Sequence, residues 1–562
     1  MHYGIEMADE SQKIIFVARR PVCDAESPGE SSMSAAHTTV VRPADPTLQR
    51  ALRLALLFAA IKLLLHIATN LWEAHIGYGY FRDELYYLIC SRHLAWGYVD
   101  QGPIVALQAK LALLLFGKSL AGIRMLSALS GAGRVFLTGI LAWSLGGRRP
   151  AQALAMIGVL MAPQYLGLDS FLSMNSTESI FWMTCLLALI LILRGGSNKL
   201  WLLFGLSAGI GLLNKPSMTF FLLALLAALL ITPQRKLLFN RWAAAGIALL
   251  LLITLPNLLW QIHNHWPTLE FLHNGRVENK NIKLGPIAFL VTQIVNLQPV
   301  SVLIWGAGLL WLLRNPLAKN WRWLGLTYLF FLAGMMLLHA KDYYVIPIYP
   351  ILFAAGGIAW EGVFANRKAL QKDRTFAFPI IETILVVAGV LVLPMSIPVL
   401  RPSTWLAYTK ATGLSKISGN TENDASGPLP QFYADRFGWQ EEVDQVTRIY
   451  NSLSPEEQRK VGIFGSNYGE ASAINFLGRD LPFAISGHNN YWLWGPHGNT
   501  GELMIVINGA SPDEMRKYYD SVQIAGRMNH PLSMPFEHRN IYLVRGRHKN
   551  IVEDWPDFKF YF

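Results

Sequence analysis

The chain has 562 residues, of which 52% are hydrophobic and 15% are charged, and its mean hydropathy is +0.30. This composition excludes a water-soluble protein, because the apolar residues lie in runs of roughly 15–23, the length of helix that crosses about 30 Å of hydrocarbon. The formal net charge of +11 does not indicate a nucleic-acid-binding protein, since the Lys and Arg residues lie singly or in pairs at the ends of the apolar runs.

The N-terminal segment precedes the first apolar run and differs from it in composition. Residues 1–46 mix Ser, Glu, Arg and Pro with little periodic hydrophobicity, so we predict a disordered cytoplasmic tail. A first span at about 52–71 then leads into an external loop over residues 72–104. A short amphipathic helix at the membrane interface is predicted to follow at residues 104–116.

The external loop carries many acids and tyrosines within residues 80–103. Asp83, Glu84 and Asp100 lie there beside several tyrosines, directly after an apolar span. Acidic side chains are costly near lipid, so this composition favours a functional site. The alternative is an ordinary solvated loop whose acids face water.

The later loops alternate in charge. The basic loops lie at 146–150, 194–199, 234–236, 314–322 and 366–374, and the loops rich in acids, amides and aromatics lie at 168–178, 214–216, 263–283 and 339–344. The positive-inside rule places the basic set in the cytoplasm and the mixed set outside. An eleventh span at about 376–398 completes a membrane region over residues 47–400, with about 11 to 13 transmembrane helices in all.

From about Arg401 the composition becomes that of a water-soluble domain. Strands are predicted at 460–464, 503–508 and 541–544, and helices at 469–476 and 512–521. We therefore predict an extracytoplasmic α/β domain over residues 401–562. The sequence has no Walker-type phosphate loop and no GxGxxG spacing, which argues against ATP as the direct source of energy.

An outward-facing membrane site without a nucleotide motif needs an energised substrate that already resides in the lipid, and a polyprenyl-phosphate sugar meets that need. Transfer from such a donor requires a carboxylate that accepts the proton of the attacking hydroxyl, and cations or hydroxyl groups that hold the phosphate. Asp83 and Glu84 are the candidate catalytic carboxylates. The candidate substrate-binding residues are Asp100, Asn175, Glu178, Lys215, Arg276, Lys341, Tyr343 and Tyr344.

These candidates also have structural explanations. Lys215 could extend to the membrane interface, Arg276 could be solvated, and Tyr343 could belong to an aromatic belt. Glu178 could be only a favourable acid near the N-terminus of its helix.

A metal cofactor is left open by the sequence. Asp83, Glu84 and His93 could ligate a divalent cation, but their spacing is not diagnostic. The three cysteines have no CxxC or His–Cys spacing, so we predict neither a disulfide framework nor a structural zinc site.

Several motifs together resemble bacterial glycosyltransferase family 39 and its protein mannosyltransferase and aminoarabinose transferase-like relatives. In chain order these motifs are FRDELYYL, GYVDQGPIVAL, MNSTESIFW, NKPS and AKDYYVIPIYP. The C-terminal segments SNYGEASAINFLG and ISGHNNYWLWGP also resemble the extracytoplasmic domain of one bacterial branch.

The resemblance implies a polytopic α-helical membrane protein of the GT-C type that uses a polyprenyl-phosphate-linked sugar donor. It implies a catalytic acid at Asp83, with Glu84 as its neighbour, and donor-phosphate contacts from Lys341 and Tyr343. One motif departs from the aminoarabinose transferases, which carry an acid-Lys-Pro motif where this chain has the residues DQGP at 100–103. The sugar and the acceptor therefore stay open, and lipid A modification is one option among several.

The leading hypothesis is an inverting glycosyltransferase of the bacterial inner membrane whose active site faces outward. Its expected partners are a polyprenyl-phosphate sugar donor, a cell-envelope acceptor and the lipid bilayer, and no nucleic acid. The alternatives are a transporter or flippase for a lipid-linked or anionic solute, and a scaffold with a decayed site. A transporter is expected to place charges near mid-membrane in repeated halves, whereas the charges here lie at span ends and no repeat is visible.

Overall fold

Apolar helices make up the N-terminal two thirds of the chain in the computed structural model. The structure describes residues 48–278, 280, 282–366, 374–414, 422–423, 425, 427–508 and 510–562. The tail predicted over residues 1–46 lies outside the described residues, as does most of the basic loop at 366–374.

The helices of this region follow one another with short connections. They are α1 (Leu48–His75), α2 (Arg82–Cys90), α3 (Pro103–Phe116), α4 (Leu120–Ile123), α5 (Met125–Ser144), α6 (Arg149–Leu160), α7 (Pro163–Asp169), α8 (Met174–Leu193), α9 (Leu200–Asn214), α10 (Ser217–Leu230), α11 (Arg241–His263), α12 (Pro267–Val277), α13 (Pro286–Asn296), α14 (Val302–Arg314), α15 (Arg322–Leu337), α16 (Tyr349–Asn366) and α17 (Arg374–Ser396). Short 3₁₀ helices lie at Pro233–Leu238, Pro299–Ser301, Pro316–Trp321 and Asp342–Ile348.

Fewer helices have the length and composition of a full membrane span than the 11 to 13 predicted. Among the described residues, 6 helices are long and apolar enough to cross a membrane, or up to 8 if each of two bent pairs forms one span. The bent pairs are α6 with α7, at 63°, and α13 with Pro299–Arg314, at 99°. Three further apolar helices are shorter, at 10–17 residues, namely α3, α9 and α10. The polytopic helical class is confirmed, and the shorter apolar helices are not included in the number of full-length spans.

The break between α9 and α10 lies at the loop predicted at 214–216 and has a visible cause in the sequence. Proline disfavours helical backbone at the residue before it, and Pro216 follows Lys215 directly. Lys215 is accordingly extended, with φ −156° and ψ 136°, and α9 ends at Asn214. The chain thus forms two helices with a polar turn between them, at the position where the sequence predicts a loop between two spans.

The C-terminal region contains a five-stranded mixed sheet in the order β2-β1-β3-β5-β4. Its strands are β1 (Gly462–Gly465), β2 (Ala484–Ile485), β3 (Leu503–Asn508), β4 (Tyr519–Arg527) and β5 (Asn540–Arg547). β1 pairs in parallel with β2 and β3, whereas β5 pairs antiparallel with β3 and β4. The helices of this region are α18 (Pro402–Thr412), α19 (Gln431–Ala434), α20 (Trp439–Asn451), α21 (Pro455–Gln458), α22 (Tyr468–Leu477), α23 (Asn490–Trp494), α24 (Pro512–Met515) and α25 (Ile551–Asp554), with 3₁₀ helices at Pro535–Glu537 and Trp555–Phe558.

The three predicted strands correspond to β1, β3 and β5, and the predicted helix at 469–476 corresponds to α22. The helix predicted at 512–521 is wrong beyond Met515, because α24 ends there and β4 begins at Tyr519. β4 is an edge strand that pairs only with β5, and its side chains are mostly exposed. Such a strand depends on its hydrogen-bonded neighbour rather than on alternating burial, so its sequence carries little strand signal.

The C-terminal region packs directly against the loop at residues 72–104 that follows α1. The backbone N–H groups of Gly79 and Arg82 donate to the carbonyls of Arg436 and Asp435, at 3.1 and 3.0 Å. A side chain at Gly79 would bring its Cβ to 2.8 Å from the carbonyl oxygen of Arg436, so only glycine allows this approach. The loop therefore has a fixed conformation set by residues more than 350 positions away.

A buried ionic network fixes the same loop from the membrane side. Arg124 lies between two carboxylates, with 2.9 Å to Glu73 on α1 and 2.7 Å to Glu84 on α2. Arg436 of the C-terminal region pairs with the other oxygen of Glu73. All four side chains are buried, and each charge has an opposite partner, as a buried charge requires. This network joins α1, α2, the start of α5 and the C-terminal region.

Candidate active site

Asp83 lies in the first turn of α2 and points away from the protein core. Its side chain is 33% exposed, whereas that of the adjacent Glu84 is fully buried. The difference follows from helix geometry, because consecutive residues of a helix point about 100° apart. Asp83 accepts a 2.7 Å hydrogen bond from the hydroxyl of Tyr468, and Arg82 Nε lies 4.0 Å from the same oxygen. The carboxylate is thus held in place on one side and open on the other.

Glu84 does not share this site. Its two oxygens bind Arg124 Nε and Nη2 at 2.7 and 2.8 Å. They also accept the backbone N–H groups of Phe81 and Leu172 at 2.9 and 2.7 Å. A buried carboxylate with four donors has no room for a substrate, so the geometry supports a structural role and not the predicted catalytic one.

Lys341 and Glu422 form the centre of a cluster of charges near Asp83. Lys341 Nζ lies 3.0 Å from Glu422 Oε1, and the Gln431 amide donates to Glu422 Oε2 at 3.1 Å. Burial alone would raise the pKa of Glu422, but the positive charges of Lys341, Lys280 and Arg82 lower it to about 2. Three cations therefore converge on one anion at this point.

Lys215 holds the second cluster together. Its ammonium group donates to Asn175 Oδ1 at 2.7 Å, pairs with Glu178 Oε2 at 3.1 Å, and lies over the rings of Tyr344 and Tyr343 at 4.2 and 5.3 Å. Asn175 and Glu178 are three residues apart on α8, so they share one helix face and reach the same lysine. The structure thus brings together five of the predicted site residues from three separate loops.

Electrostatic interactions connect these clusters with Asp83. The charge of Asp83 acts on Lys341 and on Asp100. Burial, with a contribution from Asp83, raises the pKa of Asp100 to about 7, although a hydrogen bond from the Tyr86 hydroxyl at 3.1 Å opposes the shift. Asp100 is therefore a second carboxyl group beside Asp83, one that titrates near neutral pH.

Arg276 lies outside these clusters. It is exposed in the last turn of α12 and, within the described parts of the chain, makes no ion pair. The cation that the same loop supplies is Lys280, whose amine interacts with Glu422, Asp100 and Lys341. Both residues lie in one hydrophilic segment of the sequence, and nothing in that segment shows which one faces the site.

The candidate metal ligands are separated in the structure. Glu84 is bound to Arg124, and the ring of His93 stacks on Trp494 with 4.6 Å between centroids. Among the residues that the structure describes, no group of three His, Cys, Asp or Glu side chains could hold a metal ion. A divalent cation at Asp83 stays an untested prediction.

Comparisons with known proteins agree with this architecture. Residues 100–260 match the family profile of dolichyl-phosphate-mannose-protein mannosyltransferases, whereas no curated protein sequence gives a significant match. The fold is similar to that of ArnT from Cupriavidus metallidurans, bound to undecaprenyl phosphate and in the apo state. Each comparison has 16% identity and covers 87% of this chain and 97% of that chain, with TM-scores of 0.56 and 0.55. The GT-C fold and the resemblance seen in the sequence are thereby confirmed.

Proposed function

We propose that this multi-pass GT-C protein is a glycosyltransferase that moves a sugar from a polyprenyl-phosphate donor to a hydroxyl group of a cell-envelope lipid, glycan or protein. The observation that carries the proposal is an open carboxylate, Asp83, beside cations that converge on one anion. The similar fold of a protein that binds undecaprenyl phosphate supports a lipid-linked donor. The resemblance to mannosyltransferases supports glycosyl transfer as the reaction.

In the proposed reaction Asp83 acts as the general base. Its carboxylate takes the proton of the acceptor hydroxyl while that oxygen attacks the anomeric carbon of the sugar. The bond between this carbon and the phosphate oxygen breaks, and the electron pair leaves with the phosphate. Because attack and departure take place on opposite faces, the anomeric configuration inverts. Lys341 and Lys280 stabilise the negative charge of the departing polyprenyl phosphate.

In the structure, Glu422 occupies the position where the proposed reaction requires the phosphate group of the sugar donor. Since the pKa of Glu422 is about 2, its carboxylate is ionised at neutral pH and holds Lys341. A phosphate group has the charge and the acceptor oxygens to replace it. We therefore expect the donor to compete with Glu422 for Lys341.

Removing donor contacts is expected to weaken donor binding. Lys341→Ala should lose about 1.5–3 kcal/mol of donor affinity, as for a hydrogen bond to a charged group, and Tyr343→Phe should lose less. Glu422→Gln should act in the opposite direction, because it removes the competing charge. Titrating a polyprenyl-phosphate sugar against the purified variants measures these effects.

Arg276→Ala is the matched control. It removes a cation of the same loop as Lys280, but one that does not reach the cluster around Glu422. Its donor affinity is expected to equal that of the wild type. Unchanged affinity and rate in both Lys341→Ala and Tyr343→Phe would leave these side chains as interface anchors and contradict the proposed donor site.

We propose further that the protein lies in the bacterial inner membrane with this site on the external face. The charge alternation of the loops supports that orientation. A reporter that is active only outside the cytoplasm should be active when fused after Phe562, and one fused in the loop at 235–236 should be inactive. The reverse pattern, in stably expressed fusions, would place the site in the cytoplasm.

A further inference from the structure

We infer that Tyr468 is a positioning residue for Asp83, so that the C-terminal region completes the active site of the membrane region. This inference rests on the proposed role of Asp83 as the base. Tyr468 is the first residue of α22, and its hydroxyl donates to Asp83 Oδ1 at 2.7 Å across 385 positions of sequence. The site is therefore incomplete without the C-terminal region.

The start of α22 is fixed by its own capping interactions. The side chain of Asn467 accepts the backbone N–H groups of Gly469 and Glu470 at 2.8 and 3.1 Å. The Glu470 carboxylate in turn accepts the backbone N–H of Asn467 at 3.3 Å. Such a reciprocal cap determines where a helix begins, and here it determines the position of Tyr468.

The ring of Tyr468 is held by its neighbours. It packs against Tyr86 and His488, with 4.7 and 4.9 Å between centroids, and the guanidinium of Arg82 lies 5.5 Å from its centre. α22 approaches α2 so closely that a Cβ at Gly469 would lie 2.7 Å from Arg82 Cγ. Packing of this kind leaves the hydroxyl little freedom to move away from Asp83.

A second contact fixes the same two regions relative to each other. Asn490 Oδ1 accepts the backbone N–H of Val99 at 2.7 Å and lies 3.3 Å from the hydroxyl of Tyr86. Tyr86 and Val99 belong to the loop that carries Asp83 and Asp100. The C-terminal region thus holds both carboxyl-bearing parts of the first external loop.

The chemistry of the phenol decides its role. Burial, together with the charge of Asp83, raises the pKa of Tyr468 well above its usual value although Arg82 opposes the shift. Tyr468 therefore stays protonated at working pH and acts as a donor, not as a second base. A donor on Oδ1 favours the ionised form of Asp83 and leaves the other oxygen for the acceptor hydroxyl.

Tyr468→Phe removes only this hydroxyl, and Tyr491→Phe is its matched control. The Tyr491 hydroxyl is also buried in the C-terminal region, but it bonds to Ser472 at 3.0 Å and not to Asp83. Sugar transfer by Tyr468→Phe is expected to have a kcat about tenfold or more below the wild type, with little change in donor KM. The acid limb of its pH–rate profile should move to higher pH by about one pH unit. Tyr491→Phe should show neither change.

The outcomes separate this inference from the proposed function. Tyr468→Phe with the rate and pH profile of Tyr491→Phe, while Asp83→Asn is inactive, would overturn the positioning role and leave Asp83 as the base. Full activity of Asp83→Asn would instead contradict the proposed function.

A second variant covers the case in which Tyr468→Phe does not fold. 3-Fluorotyrosine at position 468 keeps the ring and makes the hydroxyl a stronger donor, so the acid limb should move to lower pH. An unmoved limb in that folded protein would overturn the inference as well.

Discussion

Replacing Asp83 by Asn is expected to lower sugar transfer by about 10²–10⁴. Asparagine keeps the size of the side chain, and its carbonyl oxygen can still accept the hydroxyl of Tyr468, but it cannot take a proton from the acceptor. Donor binding should survive, because the cations around Glu422 are untouched. Transfer from a labelled polyprenyl-phosphate donor in nanodiscs, with donor affinity and thermal stability recorded alongside, measures the effect.

Near-normal transfer by a folded Asp83→Asn protein would remove Asp83 as the base. Asp100 would then be the next candidate, since its pKa of about 7 lies near the working pH of a general base. Arg276→Ala, a substitution outside the clusters, is the control for general effects of handling a membrane protein.

Glu84, the acid adjacent to Asp83, is expected to affect stability and not sugar transfer. Glu84→Gln should lower the free energy of unfolding by up to about 3–5 kcal/mol, because it leaves the buried cations Arg124 and Arg436 to share the one carboxylate of Glu73. Glu73 still contacts Arg124 at 2.9 Å and limits the loss. Transfer per folded molecule should stay close to that of the wild type. Thermal or denaturant unfolding in detergent, compared with Asp83→Asn, measures the difference.

Such a difference between the two variants would demonstrate that Asp83 takes part in the reaction and that Glu84 stabilises the fold. A stable Glu84→Gln protein with the same loss of transfer as Asp83→Asn would show that the two carboxylates act as a pair. That result would contradict the structural role that the contacts with Arg124 indicate.

The sequence predicted which loops lie at the same end of the membrane region better than it predicted their individual contacts. The alternation of basic loops placed Asn175, Glu178, Lys215 and Tyr344 on one side, and the structure brings these residues together. Charge alternation reports sidedness because it reflects how the chain inserts. It contains no information on which loops meet, so the contact of Tyr468 with Asp83 could not be predicted.

The acids at 83 and 84 show a second limit. Adjacent carboxylates look equivalent in a sequence until it is known which face of α2 is buried. Glu84 lies on the buried face, where it binds Arg124, 40 residues away. The same holds for Arg276 and Lys280, since the sequence does not show that Arg276 lies within α12 and Lys280 beyond its end at Val277. The proline break at Lys215, by contrast, had a visible signal, and the loop predicted at 214–216 does lie between α9 and α10.

The most direct test of the central claim uses the wild-type protein in nanodiscs with labelled polyprenyl-phosphate sugars and cell-envelope acceptors. We expect release of polyprenyl phosphate together with transfer of the sugar to an acceptor hydroxyl with inverted anomeric configuration, and loss of both products in Asp83→Asn. Absence of sugar release from every donor, together with movement of a lipid-linked solute across vesicles, would contradict glycosyl transfer and identify a transporter.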